Sequence, residues 1–73
     1  MSVKHNEKYK EIGKKVSKYR LKKGLTQEDL ANAVGVSYSY ITQIEAPNVV
    51  KRMSLEVLFD IAETLDVNIK DLL

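Results

Sequence analysis

Apolar residues recur along most of the chain at three- and four-residue spacing, which places them on one face of an α-helix. The first such stripe lies between Glu7 and Lys23 and consists of Tyr9, Ile12, Val16 and Tyr19. Gly24 follows at once, and glycine commonly follows a helix because it adopts positive φ without strain. The pattern therefore predicts a first helix from Glu7 to Lys23.

A second, shorter helix is indicated after Thr26. The threonine hydroxyl can cap it by accepting a hydrogen bond from a free backbone N–H in the first turn. The expected buried face consists of Leu30, Ala31 and Val34. Gly35 ends this helix, because the tight turn that must follow requires a residue that tolerates positive φ.

A third helix is predicted by the same signals. Ser37 can cap its start, and Ile41 and Ile44 lie three residues apart on its inner face. Pro47 ends it, since the residue before a proline is disfavoured in a helix. The next segment, from Ala46 to Met53, is predicted to be a loop.

Ser54 can cap a fourth helix, whose apolar stripe consists of Leu55, Leu58, Ile61, Ala62 and Leu65. Asn68 and Asp71 have the spacing of a capping box for a last short turn that ends at Leu72 and Leu73. No segment alternates with the period of two that is typical of a strand. The sequence thus predicts an all-α fold of five helices, with one domain over residues 7–73 after a flexible N-terminus, residues 1–6.

The composition is that of a small globular domain, with 44% hydrophobic and 30% charged residues among 73. The absence of cysteine excludes disulfides and thiolate metal sites, and His5 alone cannot form a metal site. There is no glycine-rich phosphate loop, so the usual signatures of an enzyme or a cofactor site are missing. No apolar run reaches the roughly 18 residues that cross a membrane, and the polar start lacks the apolar stretch of a secretory signal. We therefore expect a cytoplasmic protein that is no enzyme, needs no cofactor and has no membrane partner.

Charge is distributed unevenly along the chain, although the net charge is only +2. Residues 1–24 contain nine lysine or arginine residues against two acidic ones, a net charge of +7. Residues 25–73 contain three basic residues against eight acidic ones, a net charge of −5. This asymmetry is typical of a protein with a polyanionic partner, but a solvated lysine-rich helix has the same composition.

Three segments carry a resemblance to a known family: GLTQEDLA from Gly24 to Ala31, VGVS from Val34 to Ser37, and ITQIE from Ile41 to Glu45. Together they resemble the Cro/C1-type, or XRE-type, helix-turn-helix family, whose short members include phage repressors and restriction-modification controller proteins. The similarity extends over residues 12–73. It implies a compact lambda-repressor-like domain in which helices two and three form the helix-turn-helix. It also implies a transcriptional regulator that binds an operator in double-stranded DNA.

The resemblance further implies that the third helix enters the major groove with its N-terminal side chains toward the base edges. The matching positions are Ser37, Tyr38, Ser39, Thr42 and Gln43. Hydroxyl groups can hydrogen-bond several base edges, and glutamine can pair bidentately with adenine. We expect these residues to read the DNA sequence, the alternative being a polar helix face that is merely solvated.

Contacts to DNA phosphates are expected from a second set of residues: Gln27, Arg20, Tyr40, Asn48, Lys51 and Arg52. Gln27 begins the second helix, where similar proteins bind a phosphate and the helix dipole favours an anion. Arg20 and Glu45 match a linking ion pair of the family, so we expect Arg20 to be mainly structural and to add a phosphate contact. Tyr40 either packs inward or reaches a phosphate through its hydroxyl. For Lys51 and Arg52 the alternative is solvated loop charges.

The loop from Ala46 to Met53 departs from the family pattern. It is about two residues longer, and its proline comes early. Its phosphate contacts are therefore the least transferable part of the resemblance. Val49 and Val50 in this loop either pack back onto the core or contact a partner.

Self-association is expected because one helix reads only a few base pairs. A two-fold dimer doubles the readout and predicts an inverted repeat with half-sites about one helical turn, or a multiple of it, apart. The candidate residues for a homodimer interface are Phe59, Ile69 and Leu73, and the alternative is that these three complete the core. Such a regulator would block RNA polymerase or recruit it. The competing hypothesis is a protein-binding module of the same fold that docks a regulator or polymerase subunit without reading DNA.

Overall fold

The computed structural model describes residues 4–73, which form five α-helices and no β-strand. The helices are α1 (Asn6–Lys22), α2 (Gln27–Val34), α3 (Tyr38–Glu45), α4 (Leu55–Leu65) and α5 (Ile69–Leu72). The predicted all-α five-helix fold is thus confirmed, with α1 displaced by one residue at each end. Within the described residues no helix is long and apolar enough to cross a membrane. Of the segment predicted to be flexible, residues 1–3 lie outside the described part.

All five helices share one hydrophobic core. Each contributes one side chain with no accessible surface, namely Val16, Leu30, Ile41, Ile61 and Leu72. A fully buried aliphatic side chain of this size stabilises the folded state by about 1.5–3 kcal/mol. The fold therefore depends on contacts that every helix makes with the same centre.

The predicted starts of α2, α3, α4 and α5 are confirmed by hydrogen bonds at their caps. The Thr26 hydroxyl accepts from the backbone N–H of Asp29 at 3.0 Å, and the Asp29 carboxylate accepts from the N–H of Thr26 at 2.9 Å. Ser37 and Ser54 each accept from the N–H three residues ahead, at 3.0 and 3.2 Å. At α5 the Asn68 N–H donates to the Asp71 carboxylate at 3.1 Å. Local sequence is therefore enough to place these helix starts.

Helix ends follow from backbone conformation. Gly24 and Gly35 have φ of 79° and 83°, in the left-handed region that glycine tolerates. Asp66 ends α4 in the same region, at φ 59°, without being glycine. After α3 the chain is extended at Ala46, as the following Pro47 requires.

The sequence pattern assigns one residue of α4 to the core incorrectly. Leu55 is 61% exposed, so its assignment to the buried face of α4 was wrong. It is the first residue of the helix and lines an open groove, whereas the buried residues of α4 begin at Leu58. Val34 is only half-buried, although it packs against the core as expected.

Gly13 allows α1 and α3 to approach closely. It is buried inside α1, and a methyl group built on it would overlap the carbonyl oxygen of Ile44 in α3. A glycine inside a helix costs about 0.5–1 kcal/mol relative to alanine. Here that cost is offset by the close packing of α1 against α3, which a larger residue at this position would prevent.

Candidate nucleic-acid interface

The helix-turn-helix is formed by α2, a three-residue turn and α3. In the turn, the N–H groups of Gly35 and Val36 both donate to the carbonyl oxygen of Ala31, at 2.9 and 3.1 Å. These bonds close the C-terminus of α2, and Ser37 then caps α3. The orientation of α3 relative to α2 is thus fixed by backbone hydrogen bonds on one side and by the buried Ile41 on the other.

The outer face of α3 carries all five residues predicted to read bases. Ser37, Tyr38, Ser39 and Gln43 are exposed and Thr42 is half-buried, whereas the apolar side of the helix points into the core. Two hydrogen bonds order this face: the Thr42 hydroxyl donates to the carbonyl oxygen of Ser39 at 2.9 Å, and the Gln43 amide donates to the Ser39 hydroxyl at 3.2 Å. The structure therefore brings these side chains together on one accessible surface.

Arg20 and Glu45 form the predicted ion pair. Arg20 Nε donates to Glu45 Oε2 at 2.8 Å and Nη2 donates to Oε1 at 2.9 Å, while Nη1 donates to the carbonyl oxygen of Leu25 at 2.7 Å. Arg20 is only 8% exposed. The hydrogen bond to Glu45 raises the pKa of the guanidinium, desolvation opposes this shift, and the carboxylate charge adds to it. The guanidinium therefore stays charged, and the pair joins the end of α1 to the end of α3.

Gln27 joins the same network, which the sequence did not indicate. Its Nε2 donates to Glu45 Oε1 at 3.0 Å, so one carboxylate links α1, α2 and α3. The half-buried Gln27 also lines an open groove of about 590 Å³. The other residues that line this groove are Arg20, Leu21, Leu25, Thr26, Glu28 and Tyr38. The groove runs beside the start of α2, where a phosphate was expected.

Tyr38 and Leu21 flank that groove with exposed apolar surface. Tyr38 is 56% exposed and was predicted as a base reader, but it also lines the groove beside Gln27. Leu21 is exposed as well and was missed by sequence reasoning. The only sequence signal for Leu21 is that it falls outside the apolar stripe of α1.

The loop after α3 holds the remaining predicted phosphate contacts. Asn48 and Arg52 are exposed, and the half-buried Lys51 lies with its ammonium nitrogen 4.8 Å from the centre of the Tyr40 ring. Tyr40 is half-buried and its ring packs against the core, which is the first of the two alternatives predicted for it. Val49 and Val50 are exposed, which excludes the alternative that they pack back onto the core.

The three predicted interface residues differ in burial. Phe59 and Leu73 are 53% and 51% exposed, so neither completes the core, whereas Ile69 is half-buried against it. Leu73 also lines a groove of about 310 Å³ together with Leu55 and Leu58 of α4. The N-terminal part of α1 contributes Tyr9 to the same groove. Exposed apolar side chains of α4 and the C-terminal segment thus lie on an accessible surface.

Comparison with known proteins places this geometry among gene regulators. A helix-turn-helix family model matches residues 16–72. The HTH-type transcriptional regulator SinR of Bacillus subtilis is 36% identical over 62 residues, which are 85% of this chain and 55% of SinR. The chain therefore spans about half the length of the curated relatives it matches.

Two solved structures show the same arrangement of helices. The restriction-modification controller protein C.AhdI from Aeromonas hydrophila is similar with a TM-score of 0.83 at 28% identity, over 92% of this chain and 98% of that one. The biofilm regulator SinR, crystallised in complex with DNA, is similar with a TM-score of 0.77 at 34% identity, over 84% of this chain and 95% of that one. Both similarities cover most of the five-helix domain.

Proposed function

Because this chain belongs to the XRE-type helix-turn-helix family of DNA-binding transcriptional regulators, we propose that it binds an operator in double-stranded DNA by inserting α3 into the major groove. The family is not one of enzymes. The observation that carries the proposal is the polar outer face of α3, from Ser37 to Gln43, held on a helix whose other face is fully packed.

Base reading is assigned to Ser37, Tyr38, Ser39, Thr42 and Gln43. The hydrogen bond from Gln43 to Ser39 uses one N–H of the amide, so the amide oxygen and the second N–H can meet a base edge. The order that this bond brings to the side chain reduces the conformational entropy lost on binding. SinR crystallised in complex with DNA supports the same use of the fold here.

Phosphate contacts are assigned to Gln27, Asn48, Lys51 and Arg52 on either side of α3. Gln27 lies at the start of α2, where the helix dipole favours an anion, and the groove beside it can accept a DNA backbone. The loop residues follow the C-terminal end of α3. Arg20 is mainly structural, because three of its donor groups are already engaged, and a phosphate could meet only its remaining N–H groups.

A homodimer is the assembly we propose, with Phe59, Ile69 and Leu73 in its interface and the exposed Leu55 added to them. Burial of these side chains in a two-fold contact would remove the exposed apolar surface from water. Such a dimer would act on RNA polymerase at the operator, by blocking it or by recruiting it through the acidic residues of α4. We place this activity in the cytoplasm.

The deciding experiment is selection of bound sequences from random duplex DNA at near-physiological salt, followed by sequencing. The proposal expects an enriched inverted repeat with half-sites about one helical turn, or a multiple of it, apart. Binding of the selected duplex should weaken steeply as salt rises, because phosphate contacts release counterions. Absence of enrichment would refute sequence-specific binding. A protein partner whose binding is insensitive to salt would then favour the protein-binding module.

A further inference from the structure

Tyr40 and Lys51 form a contact that neither the helix-turn-helix nor the core requires. The ammonium nitrogen lies 4.8 Å from the ring centre, inside the distance of about 6 Å at which a cation is attracted to an aromatic face. Both residues are half-buried, and the tyrosine ring packs against the core. The ring therefore presents a fixed platform, while the lysine comes from the loop.

Contacts near both ends of the loop also hold it in place. The N–H of Val49 donates to the carbonyl oxygen of Ala46 at 3.3 Å, which closes a turn directly after α3. At the other end Met53 packs against the core. Between these points Val49 and Val50 are exposed. The contact with Tyr40 thus ties the middle of the loop to α3.

The chemistry of the tyrosine suits a lysine above its ring. Burial raises the pKa of the Tyr40 phenol, so the hydroxyl stays protonated at neutral pH. A lysine side chain has high rotational freedom in solution and loses much of it when its ammonium group binds a phosphate. A lysine that is already held against a ring loses less of that freedom on binding.

We propose that Tyr40 is a positioning residue, whose ring holds Lys51 beside α3 so that the ammonium group contacts a DNA phosphate. This inference rests on the proposed function. It assigns the contribution of Tyr40 to DNA affinity to its ring and not to a phosphate contact of its hydroxyl. It also assigns Lys51 a direct contact with a phosphate, and not only a long-range attraction to DNA.

The contact is tested first without DNA. Protons above an aromatic face resonate upfield, so the ε-methylene protons of Lys51 should be shifted upfield in the NMR spectrum of the wild type. The shift should persist in Tyr40→Phe, which keeps the ring, and disappear in Tyr40→Leu. Resonances of Lys51 at ordinary positions in the wild type would overturn the inference.

Binding to the selected duplex tests the role in recognition. Tyr40→Phe should bind as the wild type does, whereas Tyr40→Leu should weaken binding about two- to fivefold for each protomer bound. Lys51→Met should weaken binding at least as much and should reduce the steepness of log affinity against log salt by about 0.9 for each protomer bound, the value of one phosphate. The double variant Tyr40→Leu/Lys51→Met should bind no more weakly than Lys51→Met alone. Lys70→Met in α5 removes the same charge elsewhere and serves as the control.

Each alternative has its own signature. A loss in Tyr40→Phe equal to that in Tyr40→Leu would show that the hydroxyl makes the contact. Additive losses in the double variant would show that the two residues act independently. If Tyr40→Leu does not fold, the wild type and Tyr40→Phe still decide the question by NMR and by affinity. A wild type that binds no duplex but retains the upfield shift would refute the DNA-binding function and the role of Lys51 in it, while the ring contact itself stands.

Discussion

Arg20 and Glu45, 25 residues apart in sequence, face each other through two parallel hydrogen bonds of 2.8 and 2.9 Å. Their side chains are almost completely buried, at 9% and 4% exposure. Since Gln27 donates to the same carboxylate, this contact sets the positions of three helices at once. This buried polar contact therefore fixes the position of α3 together with the apolar core.

Replacement of Glu45 by alanine should lower the free energy of unfolding by about 3–5 kcal/mol, because the Arg20 charge would remain buried without its carboxylate. Urea denaturation followed by circular dichroism measures the change. Glu7→Ala is the control, since Glu7 pairs with Lys10 at 3.7 Å on the surface and should matter by less than about 0.5 kcal/mol. Equal small losses in both variants would contradict a structural role for the buried pair.

Gly13→Ala should destabilise the fold by about 1–3 kcal/mol, although alanine is the better helix former. The added methyl group would overlap the Ile44 carbonyl oxygen and force α1 away from α3. Thermal and urea unfolding provide the measurement. Glu11→Ala, at an exposed position of the same helix, should change stability little. A more stable Gly13→Ala variant would mean that the two helices separate without cost.

Acid should weaken the start of α2. The N–H of Thr26 lowers the pKa of the Asp29 carboxyl, so the folded state favours the ionised form. Its contribution to stability is therefore present above the pKa of the unfolded chain and is lost as the pH falls through the lower pKa of the folded state. Asp29→Asn should be less stable than the wild type at pH 7, and the difference should shrink in acid. Glu63→Gln provides a reference for the loss of one negative charge, and a difference that is constant with pH would contradict this interpretation.

Substitutions on either side of α3 should affect DNA binding in different ways. Gln43→Ala should lower the ratio of affinities for operator and random DNA, because it removes a base contact. Arg52→Ala should weaken binding to both about equally, because phosphates carry no sequence information. Fluorescence anisotropy with selected and scrambled duplexes measures the two ratios. The opposite result would exchange the roles of specifying and positioning residues.

Sequence patterns predict the helix boundaries well because these depend on local chemistry. Thr26, Gly35 and Ser37 act through hydrogen bonds and dihedral angles within a few residues of themselves. The exposure of Leu55 could not be predicted, since periodicity shows which face a residue occupies but not how far along the helix the core extends. The close approach of α1 and α3 at Gly13 has one sequence signal, a glycine inside a helical pattern. The reason for that glycine is visible only in the structure, where α3 packs against it.

Within the candidate site, the exposed face of α3 and the pairing of Arg20 with Glu45 were predictable from the residue pattern and the family resemblance. The link from Gln27 to Glu45 was not, because it joins residues 18 positions apart through a carboxylate already assigned to another partner. The placement of Lys51 over Tyr40 likewise depends on the path of a loop for which no periodic pattern exists.

The hydrophobic core, to which each helix contributes one fully buried side chain, has a consequence for protein engineering. The helix-turn-helix cannot be treated as a transferable part, because α2 and α3 alone would expose Leu30 and Ile41 to water and leave Glu45 without Arg20. A graft of residues 26–46 onto another scaffold would have to recreate both the apolar floor and a buried guanidinium at the end of a supporting helix. Altered specificity is therefore better sought by changing the outer face of α3 within the intact domain.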